Sequence, residues 1–222
     1  MKKLLFAAMM MLFATTANAQ KDITKFLGIP IDGTKAEMIQ KLKAKGFTSK
    51  AYDSEILEGE FNGENVNIHI ATDHNRVYRI MVADANTKSE ANIRVRFNNL
   101  CYQFEHNDNY IFFTENQTIP QDEDISYEMT VNDKRYQASY YQKPNMDSTV
   151  MANALLELFP TKCTPEQYAS LTEEERSNLH FEIALEVISK KQVWFTISEF
   201  AGEYYISMYY DNKYNESNGE DL

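Results

Sequence analysis

The sequence predicts an α+β protein, with helices packed on antiparallel sheets in two tandem α/β units and a helical insertion. Three observations carry this. Residues 54–83 read as a three-stranded meander. Two similar helix starts, Thr34-Lys35-Ala36-Glu37 and Thr87-Lys88-Ser89-Glu90, stand before helix-period apolar stripes. Tyr and Phe are plentiful (14 and 13) while Gly and Pro are scarce (7 and 5), which suits broad sheets better than linkers.

The meander is the best-defined stretch. Asn62-Gly63 is the strongest short hairpin signal, because a type I′ turn needs positive φ at both central residues. It sets Phe61 against Glu64, Gly59 against Val66 and Leu57 against Ile68. Read as a three-residue loop, Asp73-His74-Asn75 sets Ile70 against Tyr78, Ile68 against Ile80 and Val66 against Val82. Both turns place Val66, Ile68 and Ile70 on one face, and a one-residue slip would destroy that agreement. The same register puts His69 opposite Arg79, with Glu58 as diagonal neighbour.

The chain opens MKKLLFAAMMMLFATTANAQ. Lys2 and Lys3, the apolar stretch to Thr16 and Ala17-Asn18-Ala19 have the form of a cleaved secretory signal peptide, residues 1–19, with no lipoprotein cysteine. A periplasmic or secreted chain with no membrane span follows. Residues 20–105 form the first helix/meander unit. Residues 106–212 form a second sheet unit with the insertion at about 145–190, and 213–222 a flexible tail.

Thr34 to Glu37 is a capping box, and Gly46 closes its helix. The second box leads a helix buried through Ile93, Phe97, Leu100, Cys101 and Phe104. Tyr110 to Phe113 reads as a short strand. Ile125, Tyr127, Met129 and Val131 alternate as another, turning at Asp133-Lys134 toward Tyr136, Ala138 and Tyr140. Residues 147–159 read as a helix ending at Pro160. Thr164-Pro165 and Thr172-Glu173 start two more, the second buried through Leu179, Ile183, Val187 and Ile188. Val193–Phe200 and Tyr204–Asp211 form a closing hairpin about Ala201-Gly202. It pairs Trp194 with Tyr209, Thr196 with Ser207 and Ser198 with Tyr205, and Asn212 onward reads as frayed.

Loss of the leader lysines takes the formal net charge from −11 to −13. Nucleic acid and anionic membranes need clustered Lys and Arg, so the acidic balance argues against both as partners. Cys101 and Cys163 are permitted a disulfide in an oxidising compartment, while Cys101 on an apolar helix stripe equally suits a free buried thiol. His69, His74, His106 and His180 show no metal spacing, and neither acidic Asn-rich stretch completes a calcium loop. No nucleophile elbow, P-loop or dinucleotide fingerprint appears, and no cofactor is implied.

Two surfaces remain as candidate ligand-binding sites. One is the polar strand face of Glu58, His69 and Arg79, for which a plain solvated face is the ordinary alternative. The other is the aromatic face of Trp194, Tyr205 and Tyr209, whose rings suit sugar faces or partner side chains unless they are core.

The stretches FLGIPIDGTKAEMIQKLKAKGF, EGEFNGENVNIHI, VYRIMVA and YYISMYYDNKYN resemble a group of secreted proteins of gut Bacteroidetes. That group's arrangement is similar to the β-lactamase-inhibitor-like fold. The resemblance covers residues 24–110 and the last strand pair, leaves 145–190 unmatched, and brings no catalytic residues. It implies a sheet surface that grips a protein partner. The expectation is therefore a secreted, non-enzymatic binding or interaction module for a protein or glycan. A small hydrolase of glycan or peptide is the alternative, and an envelope structural component a third.

Overall fold

The computed structural model describes residues 22–144 and 157–217. The expected leader and the tip of the tail lie outside them, as does most of the helix expected at 147–159. The described residues divide into two compact units. The larger comprises Ile23–Pro144 and Ala184–Leu222, and the smaller holds residues 157–183. Among the described residues no helix is long and apolar enough to cross a membrane.

In the larger unit a short ribbon, β1 (Lys25–Phe26) and β2 (Ile29–Pro30), precedes helix α1 (Lys35–Lys43). Strands β3 (Thr48–Ser49), β4 (Leu57–Phe61), β5 (Glu64–Asp73) and β6 (Arg76–Asp84) follow. Helix α2 (Glu90–Glu105), strand β7 (Tyr110–Ile111), helix α3 (Ile125–Val131) and strand β8 (Gln137–Gln142) come next. Helices α4 (Pro165–Ser170) and α5 (Glu173–Ser189) lead to strands β9 (Gln192–Phe200) and β10 (Glu203–Asp211).

Strands β3 to β10 build one antiparallel sheet of eight described strands in the order β3-β4-β5-β6-β10-β9-β8-β7. The α+β class is thus realised as one continuous sheet. Two three-stranded meanders, β4-β5-β6 and β8-β9-β10, meet where β6 pairs β10. Helix α1 precedes the first meander, and helices α2 and α3 precede the second.

Inward strand residues Leu57, Val66, Ile68, Ile80, Val82, Val193, Phe195, Ile206 and Met208 form one core with Met38 and Leu42 of α1, five α2 residues and Ile125 of α3. Phe97 meets Phe195 edge-on at 4.9 Å, and Phe104 stacks on Tyr140 at 4.6 Å. The Asp84 carboxylate, 3% exposed, accepts from Arg96 at 2.9 Å and ties α2 to the end of β6.

The Asn62-Gly63 turn has positive φ at both residues, and the β4–β5 register is as the sequence predicts. The closing hairpin also pairs as expected, Trp194 with Tyr209 and Ser198 with Tyr205. The β5–β6 register does not. The turn is two residues, His74-Asn75, both at positive φ, and Tyr78 is an extra residue bulged between Val77 and Arg79. A two-residue turn alone would pair Ile70 with Arg79 and drive the guanidinium into the core. The bulge adds one residue, restores the parity and turns Arg79 outward. His69 therefore lies opposite Met81, not Arg79.

Other expectations are corrected. Thr34 makes a capping box with Glu37, but α2 is capped at Ser89 without a side-chain bond, and the Thr87 hydroxyl donates to Glu203 instead. Residues 125–131 are helix, not strand, because Asp124 accepts from the Tyr127 amide and caps it. An i, i+2, i+4 pattern contains an i, i+4 pair, so Ile125 and Met129 both reach the core from a helix. Residues 157–162 are helical through Pro160. Asn212, expected to fray, is 1% exposed and donates to the Ile31 carbonyl at 2.7 Å. Asn215 donates to Asp32 and to the Val77 carbonyl, so the strand's exit is pinned beside β6.

Cys101 and Cys163 are both free, buried thiols. Cys101 points at the Gln117 carbonyl within the larger unit, and Cys163 at the Thr164 carbonyl within the smaller one. In that smaller unit Thr164 and Gln167 make a capping box, and Tyr168 packs edge-on against Phe159 and hydrogen-bonds His180.

Candidate functional site

Side chains alternate across a strand, so each strand of the large sheet sends every second residue away from the helices of its unit. On β5 these are Asn67 and His69, on β6 Arg79 and Met81, on β10 Tyr205, Ser207, Tyr209 and Asp211, and on β9 Trp194, Thr196 and Ser198. The polar and aromatic faces read separately from the sequence are one face, joined by the β6–β10 pairing. Across the strands His69, Met81, Tyr209, Trp194 and Ser139 form a single row.

The middle of this face is a locked cluster. The Trp194 and Tyr209 rings stack at 4.0 Å and 15°. Asp211, its side chain 3% exposed, accepts from Arg79 Nε at 2.6 Å, Arg79 Nη2 at 2.9 Å and Trp194 Nε1 at 2.9 Å. The Arg79 guanidinium lies 5.3 Å from the Tyr209 ring centroid and 5.7 Å from that of Trp194, within cation–π range. The hydrogen bonds from Arg79 to Asp211 raise the guanidinium's pKa. Arg79 is thereby committed within the protein, and its work is to fix the platform.

Beside the cluster lies a depression of about 390 Å³, at the small end of the range for ligand sites. Asn67, His69, Met81, Ser207, Tyr205 and Tyr209 line it, with Ser198, Thr87 and the exposed ring of Phe200 at its margin. Burial, reinforced by Lys50, lowers the His69 pKa, so the imidazole presents a neutral ring near pH 7. The charged residue among the lining is Asp84, which is engaged by Arg96 and by the Ile206 amide. Asn67 Oδ1 is buried with no hydrogen-bond partner.

Of the residues expected from sequence, His69, Tyr205 and Tyr209 meet in this depression. Arg79 and Trp194 lie in the adjoining cluster, and exposed Glu58 sits on β4 opposite Asn67. Sequence reasoning set Asn67 and Ser207 on the two expected faces without naming them as site residues, and it missed Met81, Phe200 and the organising Asp211. The hairpin register already placed Ser207 and Tyr209 on one face. No short-range signal pointed to the pairing of β10 with β6.

Carboxyl groups elsewhere carry lowered pKa values with local causes: the Thr34 amide on Glu37, Lys134 on Glu123 and the Thr172 amide on Glu175. These are cap and ion-pair roles. Among the described residues no group of three His, Cys, Asp or Glu side chains could hold a metal ion. No protein-family model, curated protein or solved structure matches this chain.

Proposed function

We propose that this chain is a secreted, non-enzymatic binding module that takes a protein or glycan ligand on the outward face of its sheet. The observation that carries the reading is the merger of two independently suspicious patches into one face with a preorganised aromatic centre and an adjoining depression. Rigid rings held by buried polar locks lose little entropy on binding. The sequence's resemblance to a group of secreted Bacteroidetes proteins, whose arrangement is similar to the β-lactamase-inhibitor-like fold, favours a sheet surface of this kind. The reading of residues 1–19 as a leader supports export.

A thermal-shift screen of the purified chain against glycans, cell-wall fragments and peptides tests this. A ligand at a hundredfold its Kd contributes about 2.7 kcal/mol, which raises Tm by roughly 5–10 °C for a domain of this size. The shift should vanish in Tyr205→Ala and shrink in Phe200→Ala. A ligand whose shift is untouched by both variants, or one that is turned over, contradicts the reading.

A further inference from the structure

We infer that the depression beside Tyr209 takes a neutral saccharide. This deepens the proposed binding function and rests on it. The argument begins with charge. The lining combines amide, hydroxyl, imidazole and aromatic groups with the apolar Met81, Ala83 and Ala85, and its carboxylate, Asp84, is closed off by Arg96 at 2.9 Å. A bound anion needs a cation, yet Arg79, the nearby guanidinium, is held in two bonds by Asp211. A formal net charge of −11 repels anions further.

Hydrogen-bonding capacity points the same way. Asn67 Oδ1 lacks a partner although it is buried, and leaving such an atom unpaired is costly. Asn67 also lines the depression, and a sugar hydroxyl, which both donates and accepts, suits the part of its amide presented there whichever way the amide is turned. Ser198 and Ser207 stand nearby with their hydroxyls 3.5 Å apart, a weak mutual contact that leaves capacity for a ligand. Phe200, 69% exposed, and Tyr205 flank the depression with rings suited to the C–H faces of a pyranose. The volume holds roughly two such sugar rings.

A peptide strand fits less well. Strand addition needs an open sheet edge, and this depression lies over β5, β6, β10 and β9, each paired on both sides.

Isothermal titration of the chain with xylohexaose, mannohexaose, cellohexaose and maltohexaose tests the assignment, with oligogalacturonate and a heparin fragment as acidic counterparts. The expected result is saturable binding of at least one neutral oligosaccharide. Asn67→Ala and Phe200→Ala each weaken it roughly tenfold, about the loss of one good contact. Asn67→Asp, nearly isosteric, weakens it at least as much; circular dichroism stays unchanged, while the buried and unpaired carboxylate oxygen lowers Tm. Binding unaffected by all three variants overturns the site. A neutral panel that is silent at millimolar concentration overturns the saccharide class, as does preference for the acidic oligomers. In those cases the loss of any screened ligand's shift in Tyr205→Ala decides separately whether the outward face is still the binding surface.

Discussion

Replacing Asp211 should damage both the stability of the sheet and the order of its outward face. Its carboxylate, 3% exposed, receives three hydrogen bonds, two from a guanidinium that is 26% exposed and one from the Trp194 ring nitrogen. Breaking a fully buried pair costs 3–5 kcal/mol. The partial exposure of Arg79 lets water recover some of that, so Asp211→Ala should cost about 3 kcal/mol. Asp211→Asn keeps the volume and one acceptor, and should cost about 2 kcal/mol. Arg79→Ala should cost no less than Asp211→Ala, because it leaves a nearly inaccessible carboxylate without its counter-charge. In the double variant the two losses should overlap by about 2 kcal/mol, the signature of direct coupling. Urea unfolding followed by far-UV circular dichroism, which reports the whole sheet, supplies the numbers. Losses below 1 kcal/mol, or fully additive ones, would refute the idea that this pair locks the face.

Three further outcomes follow from particular residues. Leu27, at φ 51° and 39% exposed at the tip of the β1–β2 ribbon, occupies a left-handed conformation that β-turns give to Asn or Gly. Leu27→Asn should therefore stabilise the chain by about 1 kcal/mol, measured by the same urea midpoint. His69 favours its neutral form when folded, through burial and then Lys50, with Asp53 opposing and Lys35 assisting. The unfolded chain thus takes the proton first as pH falls. The His69 contribution is complete above about 6.5 and is lost as pH drops toward the lower folded value. His69→Gln should flatten that part of the stability–pH curve. Burial pushes the Cys101 thiol up to about 11, so in the native protein it should resist thiol reagents at pH 8 and react only on unfolding.

What the sequence made legible was local. Asn62-Gly63 and Ala201-Gly202 defined two hairpins to the residue because turn chemistry and alternation agree. Thr34 with Glu37, and Thr164 with Gln167, announced their helices for a similar reason. The remainder depended on distance along the chain. Arg79 meets Asp211 across 132 residues, and no local pattern marks that pairing. Tyr78 bulges where a three-residue loop and a two-residue turn with one bulged residue both keep Arg79 outward, so side-chain alternation does not separate them. At 125–131 a short alternating run suited either period, and the Asp124 cap decided it. Asn212 and Asn215 looked like a polar tail because their partners, Ile31 and Val77, sit at the far end of the sequence and on another strand. The three residues of the depression named from sequence came from two different expected faces, so the site itself emerges only once β6 and β10 are side by side.

Trp194 is the chain's one tryptophan and stacks on Tyr209, which lines the depression. Its emission therefore reports on the outward face directly. Titrating a ligand found by the screen while recording that emission tests the central claim. The account predicts a saturable change whose midpoint matches the calorimetric Kd and disappears in Tyr205→Ala. Tight binding that leaves the Trp194 emission unmoved, and that Tyr205→Ala does not weaken, would contradict it.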